Sequence, residues 1–332
     1  MFHLGLRLAS LLHAPTSPSL LPTWLACSLS RSVRSRCEKG GEMSEGKVHM
    51  KHPQEVEKKM EAMKKAGASS VQVITDFDYT MSKFFFEGKK GSSSHGAIEA
   101  CNLLGDEYHQ KVIEVKDKYY PLEISSELTQ EEKFPLMVEW WDTAHFLLKQ
   151  HGFEQSMIAK AVERAHLSLR DGVQEMFHVT ADHGVPVLIF SAGIHDLIEE
   201  VLKQKADTSA NVHILSNKMV FSDSGKLEGF EHDNIHVLNK NFKGAVDSGA
   251  LPAAFAAASK GRHNVVLFGD SLGDLRMCEG LHMENCLSVG FLNPNQEGNL
   301  EKYLEGYDIV LTGRDDFHYC LDILKAILEQ GS

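Results

Sequence analysis

Apolar positions recur along this chain in two alternating rhythms. After Pro53 the rhythm is helical: Val56, Met60 and Met63 share one face, Pro53 takes a first-turn position and Gly67 supplies a stop. Strands are expected at Val71 to Thr75, Val185 to Phe190, Val212 to Leu215, Val265 to Gly269, Cys286 to Phe291 and Tyr307 to Leu311. Helices separate the later ones, from Ile194 to Ala206 and finally Asp315 to Glu329, and a hairpin is expected around Asp223 to Gly225. Between Asp78 and Ser191 the pattern is mainly helical, including Thr129 to His151, which opens with a capping box of Thr129 and Glu132. Alternating strands and helices predict an α/β fold with a doubly wound, mostly parallel sheet and an inserted helical cap. The expected division is an N-terminal extension over 1–45, a core from 53–81 and 186–332, and a cap over 82–185.

Three of these strands run directly into polar motifs. Asp76-Phe-Asp78-Tyr-Thr80 follows the first, Ser191-Ala192-Gly193 the next, and Gly269-Asp270-Ser-Leu-Gly-Asp274 a later one. Open α/β sheets place their sites beyond the carboxyl ends of strands. Taken singly, each motif is a solvated turn, and Lys240 is a surface lysine. Together and in this order they supply a nucleophilic carboxylate, a second proton-handling acid, hard oxygen donors for Mg²⁺, and groups that neutralise phosphate oxygens. The set points to phosphoryl transfer.

Composition narrows the substrate. The chain has 332 residues, 42% hydrophobic, enough for a sizeable core. Its 34 basic and 46 acidic residues give a net charge of -12, which argues against polymeric nucleic acid and requires a local cationic pocket for any anionic substrate. Six cysteines, Cys27, Cys37, Cys101, Cys278, Cys286 and Cys320, show no Cys-x-x-Cys pair, so free thiols in a reducing, cytoplasmic compartment are expected. The first forty residues differ in character, with no acid before Glu38 and arginines at Arg7, Arg31, Arg34 and Arg36. Three readings stand: a mitochondrial presequence, a membrane-associating leader, or an untargeted tail before a start at Met43. Pro15, Pro18 and Pro22 interrupt any apolar run there before the ~20 residues a membrane helix needs, and the core calls for no membrane.

The four motifs resemble those of the haloacid dehalogenase superfamily of phosphatases. Tyr119-Tyr-Pro-Leu-Glu123-Ile124, Met137-Val-Glu-Trp140-Trp141 and Phe190-Ser-Ala-Gly-Ile194 are similar to the cytosolic 5′-nucleotidase III family, the pyrimidine 5′-nucleotidases, from about Pro53 to the C-terminus. The resemblance implies Asp76 as nucleophile and Asp78 as the acid that protonates the leaving oxygen and then activates water. It also implies Mg²⁺ on Asp76, the Asp78 carbonyl and Asp270, with Asp274 orienting that shell and Thr80 fixing the loop. Ser191, the Ala192 N–H and Lys240 would hold phosphate. Glu123 would read the base, and Trp141 would be its platform, with Trp140 or Trp141 partly in a buried stripe. The implied substrate is a nucleoside monophosphate, CMP or UMP, and the Glu-Trp-Trp spelling extends this to 7-methyl-GMP. Ala144 departs from relatives that carry a serine there, which weighs against that extension. Phosphotransfer to a nucleoside is a further implied activity, and a monomer is assumed. Two alternatives stand beside this expectation: a phosphatase for phosphoserine or a similar metabolite, and a non-catalytic nucleotide-binding module.

Overall fold

The computed structural model describes residues 46–125 and 127–329; the expected N-terminal extension, with Cys27 and Cys37, lies outside them. Strand β1 (Lys47–His49) leads into helix α1 (Pro53–Ala66) and strand β2 (Val71–Thr75). A short hairpin, β3 (Phe85–Phe86) and β4 (Lys89–Lys90), precedes five helices: α2 (Ser94–Ala100), α3 (Gly105–Ile124), α4 (Gln130–Gln150), α5 (Ile158–Arg164) and α6 (Val173–Asp182). The chain returns through β5 (Val187–Ile194), α7 (His195–Lys205), β6 (Val212–Asn217) and the hairpin β7 (Met219–Phe221) and β8 (Leu227–Phe230). It ends through α8 (Phe242–Asp247), α9 (Ala253–Ala258), β9 (Asn264–Gly269), β10 (Asn285–Leu292), α10 (Leu300–Gly306), β11 (Ile309–Thr312) and α11 (His318–Leu328).

Seven strands form the main sheet in the order β1-β11-β10-β9-β2-β5-β6, parallel throughout except for β1 against β11. This is the doubly wound α/β architecture expected of the sequence. Strand β2 lies between β5 and β9, so the chain steps outward from β2 in both directions and leaves a crevice beyond the end of β2. Every residue of β2 and β9 is buried, as parallel strands covered on both faces require.

On one face, Phe242 and Ala245 of α8, Phe255 of α9 and Tyr303 of α10 pack over Ile74, Phe190, Leu267 and Val310. Burying a Phe such as Phe255 completely contributes about 1.5–3 kcal/mol. α1 packs against α11 and β10, with Val56, Met60 and Met63 buried as the helical spacing implies. Gly67 ends α1 at φ +82°, where a side chain would be strained. The inserted helices divide: α3 packs on α4, whereas α6 lies against α11. Thr129 and Glu132 form the expected capping box of α4. Among the described residues no helix is long and apolar enough to cross a membrane.

Candidate active site

Asp76 follows β2 directly, and its N–H still donates to Phe268 O of β9 at 2.9 Å. The chain then leaves the sheet in a tight turn, with Tyr79 at φ +64°. Thr80 closes that turn onto the carboxylate, donating through Oγ1 to Asp76 Oδ2 at 2.9 Å. Asp78 is held from the other side: Ser94, at the start of α2, donates its N–H to Oδ1 and its hydroxyl to Oδ2, each at 2.7 Å. A side chain at residue 193 would prevent this, because a Cβ there would lie 1.9 Å from Ser94 Oγ and 3.0 Å from Asp78 Oδ2.

The second motif occupies a break in β5 rather than the loop after it. The pairing with β6 is regular up to Phe190 and Leu215, shifts, and resumes at Ile194 and Asn217. Ser191, Ala192 and Gly193 fall in the interval, so their polar groups are not all committed to the sheet. Gly193 N–H donates to Ser191 Oγ at 3.0 Å.

Lys240 lies buried among carboxylates, with Nζ 2.5 Å from Asp76 Oδ1 and 2.7 Å from Asp274 Oδ1. Burial works to lower its pKa, but Asp274 and Asp76 outweigh burial and raise it, so it is a permanent cation. Burial pushes Asp76 up to about 7, helped by Asp274 and Asp78 and opposed by Lys240. Asp270 is driven well above the ordinary carboxylate range by burial and by Asp76 and Asp274. One ammonium does not neutralise this many buried acids.

The donor set fits a hard divalent cation. Carboxylate oxygens of Asp76, Asp270 and Asp274 fall within 4.8 Å of one another, and Mg²⁺ prefers such oxygen ligands. Asp274 has little left to offer: Oδ1 takes Lys240, and Oδ2 accepts from Asp270 N, Ser271 N and Ser271 Oγ at 2.9–3.1 Å. The Asp270 carboxylate accepts from Asn293 Nδ2 at 3.1 Å through Oδ2, while its carbonyl takes the Tyr303 hydroxyl at 2.7 Å, and a carboxylate has further lone pairs to offer a metal.

These groups form one end of a cleft of about 540 Å³ that also reaches Glu123, Trp140, Trp141 and Ala144. Burial raises the Glu123 carboxyl to about 7, with Lys133 opposing. Trp140 stacks on Tyr119 at 5.9 Å between centroids and meets Trp141 edge-on at 5.3 Å. Both indoles border the cleft, so neither is purely core.

Nine of the ten residues singled out in the sequence therefore line this cleft, and the tenth, Thr80, lies behind Asp76. Others had no sequence signal. Arg170, 2% exposed, donates to Thr80 O and Tyr79 O at 2.9 Å and to Asn293 Oδ1 at 3.1 Å, so it braces both the Asp76 turn and the partner of Asp270. Nothing around Arg170 in the chain marks it. Ser94 was half visible, since the serine run before α2 is a helix-start signal and Ser93 does cap Gly96 N.

Acids, a lysine and a hydroxyl gathered at the end of a parallel sheet, beneath inserted helices, define a phosphoryl-transfer hydrolase of haloacid dehalogenase type. Comparison with known proteins gives the family. The pyrimidine 5′-nucleotidase (UMPH-1) family model matches residues 79–330. A human 7-methylguanosine phosphate-specific 5′-nucleotidase is 38% identical over 285 residues, 86% of this chain and 93% of that protein. Its chicken namesake is 38% identical over 288 residues, 86% and 98% of the two chains. The crystal structure of cytosolic 5′-nucleotidase IIIB bound to cytidine superposes with a TM-score of 0.74 at 30% identity, covering 84% of this chain and 93% of that one. The chain belongs to the pyrimidine 5′-nucleotidase family and is an enzyme of the 5′-nucleotidase type.

Proposed function

We propose that the protein hydrolyses pyrimidine nucleoside 5′-monophosphates and 7-methylguanosine monophosphate to nucleoside and phosphate through an aspartyl-phosphate on Asp76. The observation that carries this is the joint placement of Asp76, Asp78, Lys240 and Ser191 at one end of the cleft that reaches Glu123 and the two tryptophans. An Asp76 carboxylate oxygen attacks phosphorus while Asp78 gives its proton to the departing 5′-oxygen, whose bond to phosphorus breaks. Asp78, now ionised, takes a proton from water as that water attacks the phospho-Asp76, releasing phosphate and restoring both acids. Lys240, the Ser191 hydroxyl and the Ala192 N–H hold the phosphate oxygens, each such donor being worth roughly 10²-fold or more in rate. Asp76, the Asp78 carbonyl and Asp270 would hold Mg²⁺, which when bound neutralises phosphate charge, and Asp274 and Thr80 orient this set.

Glu123 accepts from amino and ring N–H groups of the base, and Trp141 stacks on it. A cationic methylated guanine would gain a cation–π contribution of ~0.5–2 kcal/mol on such an indole. The names of the human and chicken relatives support this ligand, and the cytidine-bound neighbour supports pyrimidines. In this assignment 82–185 forms the cap and 53–81 with 186–332 the core.

Mg²⁺-dependent phosphate release from CMP, UMP, 7-methyl-GMP, GMP and phosphoserine, with Asp76→Asn as blank, tests it. Release from CMP or 7-methyl-GMP that exceeds release from GMP and phosphoserine is expected. Release from phosphoserine alone would overturn the substrate, and full activity in the Asp76→Asn variant would overturn the mechanism.

A further inference from the structure

The peptide group that joins Ala192 to Gly193 is held at its oxygen from two directions. Trp141 Nε1, on α4, donates to Ala192 O at 3.1 Å, and Asn217 Nδ2, at the end of β6, donates at 2.8 Å. Asn217 is buried, and its amide is fully engaged. Nδ2 also reaches Gly193 O at 3.2 Å and Ile235 O at 2.8 Å, while Oδ1 accepts from Ile235 N at 2.7 Å. At the other edge of the same peptide group, Gly193 N–H points to Ser191 Oγ. A peptide group is a rigid plane, so fixing its oxygen fixes the direction of its N–H. A hydroxyl has one proton to give. Once Ser191 Oγ accepts from Gly193, its proton is left to donate into the cleft that Ser191 lines.

We propose that Trp141 and Asn217 are positioning residues for the Ser191 hydroxyl, fixing the Ala192 carbonyl so that Gly193 N–H holds Ser191 Oγ and the serine proton is aimed at a phosphate oxygen. This rests on the phosphatase function assigned above but not on the identity of the base. Its consequence is that the indole bordering the base end of the cleft is fastened to the phosphate grip, so occupancy of one end bears on turnover at the other. Asn217 extends the arrangement to the second grip. Ile235, which it holds, begins a loop closed by Asn239, whose Oδ1 accepts from His236 N and whose Nδ2 donates to Asn234 O, each at 2.7 Å. That loop ends at Lys240.

The probe is inorganic phosphate, which has no ring to stack, bound to the full chain in Mg²⁺ and measured by calorimetry. Trp141→Phe keeps an aromatic ring and removes the N–H; it is expected to weaken phosphate binding about 5-fold, the effect of one hydrogen bond. Asn217→Asp, which keeps an acceptor for Ile235 N but has no amide N–H, is expected to weaken it more. In a Ser191→Ala background Trp141→Phe is expected to change phosphate affinity less than 1.5-fold, a coupling that a purely structural role would not produce. Unchanged affinity in Trp141→Phe, or an equal loss with and without the serine hydroxyl, would overturn the proposal. Phosphate binding without nucleotide hydrolysis would reject the nucleotidase reading alone, leaving the double-mutant comparison to decide this one. No phosphate binding by the wild type would overturn both.

Discussion

Replacing Gly193 with alanine isolates the support of Asp78. The backbone there is not in the left-handed region, so the substitution acts through the added methyl alone. Its Cβ would lie 1.9 Å from Ser94 Oγ and 3.1 Å from Ser94 Cβ, so the hydroxyl must leave, and its 2.7 Å bond to Asp78 Oδ2 goes with it. A hydrogen bond to an ionised group is worth roughly 1.5–3 kcal/mol, or roughly 10- to 100-fold in turnover if it acts in the transition state. We expect kcat for phosphate release to fall by that factor, with the Michaelis constant little changed. Ser94→Ala removes the same hydroxyl without intrusion and should fall near the lower figure. Burial raises the Asp78 pKa and the two Ser94 bonds hold it down, so both variants leave Asp78 more protonated at a given pH and move whichever limb of the rate profile reports Asp78 to higher pH. The double variant is the decisive case. With Ser94 Oγ absent the new methyl loses its closest neighbour, so Gly193→Ala with Ser94→Ala should be no slower than Gly193→Ala alone. Multiplied losses, or a Gly193→Ala enzyme within 2-fold of wild type, would refute this account of the glycine.

Glu123, raised to about 7, is protonated below that pH and a carboxylate above it, so the Michaelis constant for CMP should fall as pH rises through about 7; Glu123→Gln should flatten that dependence in initial-rate assays. Lys240→Met leaves Asp76 and Asp274 without their shared cation, and stability measured by denaturant in a chelator should drop by about 3–5 kcal/mol at pH 8. The loss should be smaller at pH 5, because the Asp76 carboxyl, already at about 7 with the lysine present, takes up its proton there and sheds its charge. Chelation of divalent ions should abolish phosphate release, and added Mg²⁺ should restore it; activity that persists in the chelator would remove the metal from the mechanism.

Elements whose burial is one-sided or continuous were legible in the sequence. α1, β2 and β9 fall within a residue or two of the expected limits, and α4 begins where Thr129 and Glu132 indicate. Boundaries slipped where tertiary contacts decide them. β5 begins at Val187 rather than Val185 and runs on to Ile194, because pairing with Asn217 recaptures the strand beyond its polar interruption. The acids, serine and lysine were readable because their chemistry is carried by side-chain type and by position after a strand. Arg170 and Asn217 were not, and Ser94 was so only through the serines that start α2, since each acts by where its donors end up. Arg170 meets Thr80, 90 positions away, and Asn217 meets Ala192 across a strand pair, contacts that only the folded chain creates.

The break in β5 carries a consequence for anyone who would make this protein sturdier. A parallel strand that pairs without interruption keeps every donor and acceptor for its neighbour; β5 relinquishes that regularity for three residues, just where an anion would arrive. Substitutions chosen to complete the pairing between Phe190 and Ile194 would improve the sheet and displace the three residues that line the cleft there. Selection for heat resistance alone would favour such changes and yield a robust, inert fold, so libraries built for stability should leave Ser191, Ala192 and Gly193 fixed and be screened on turnover as well as melting.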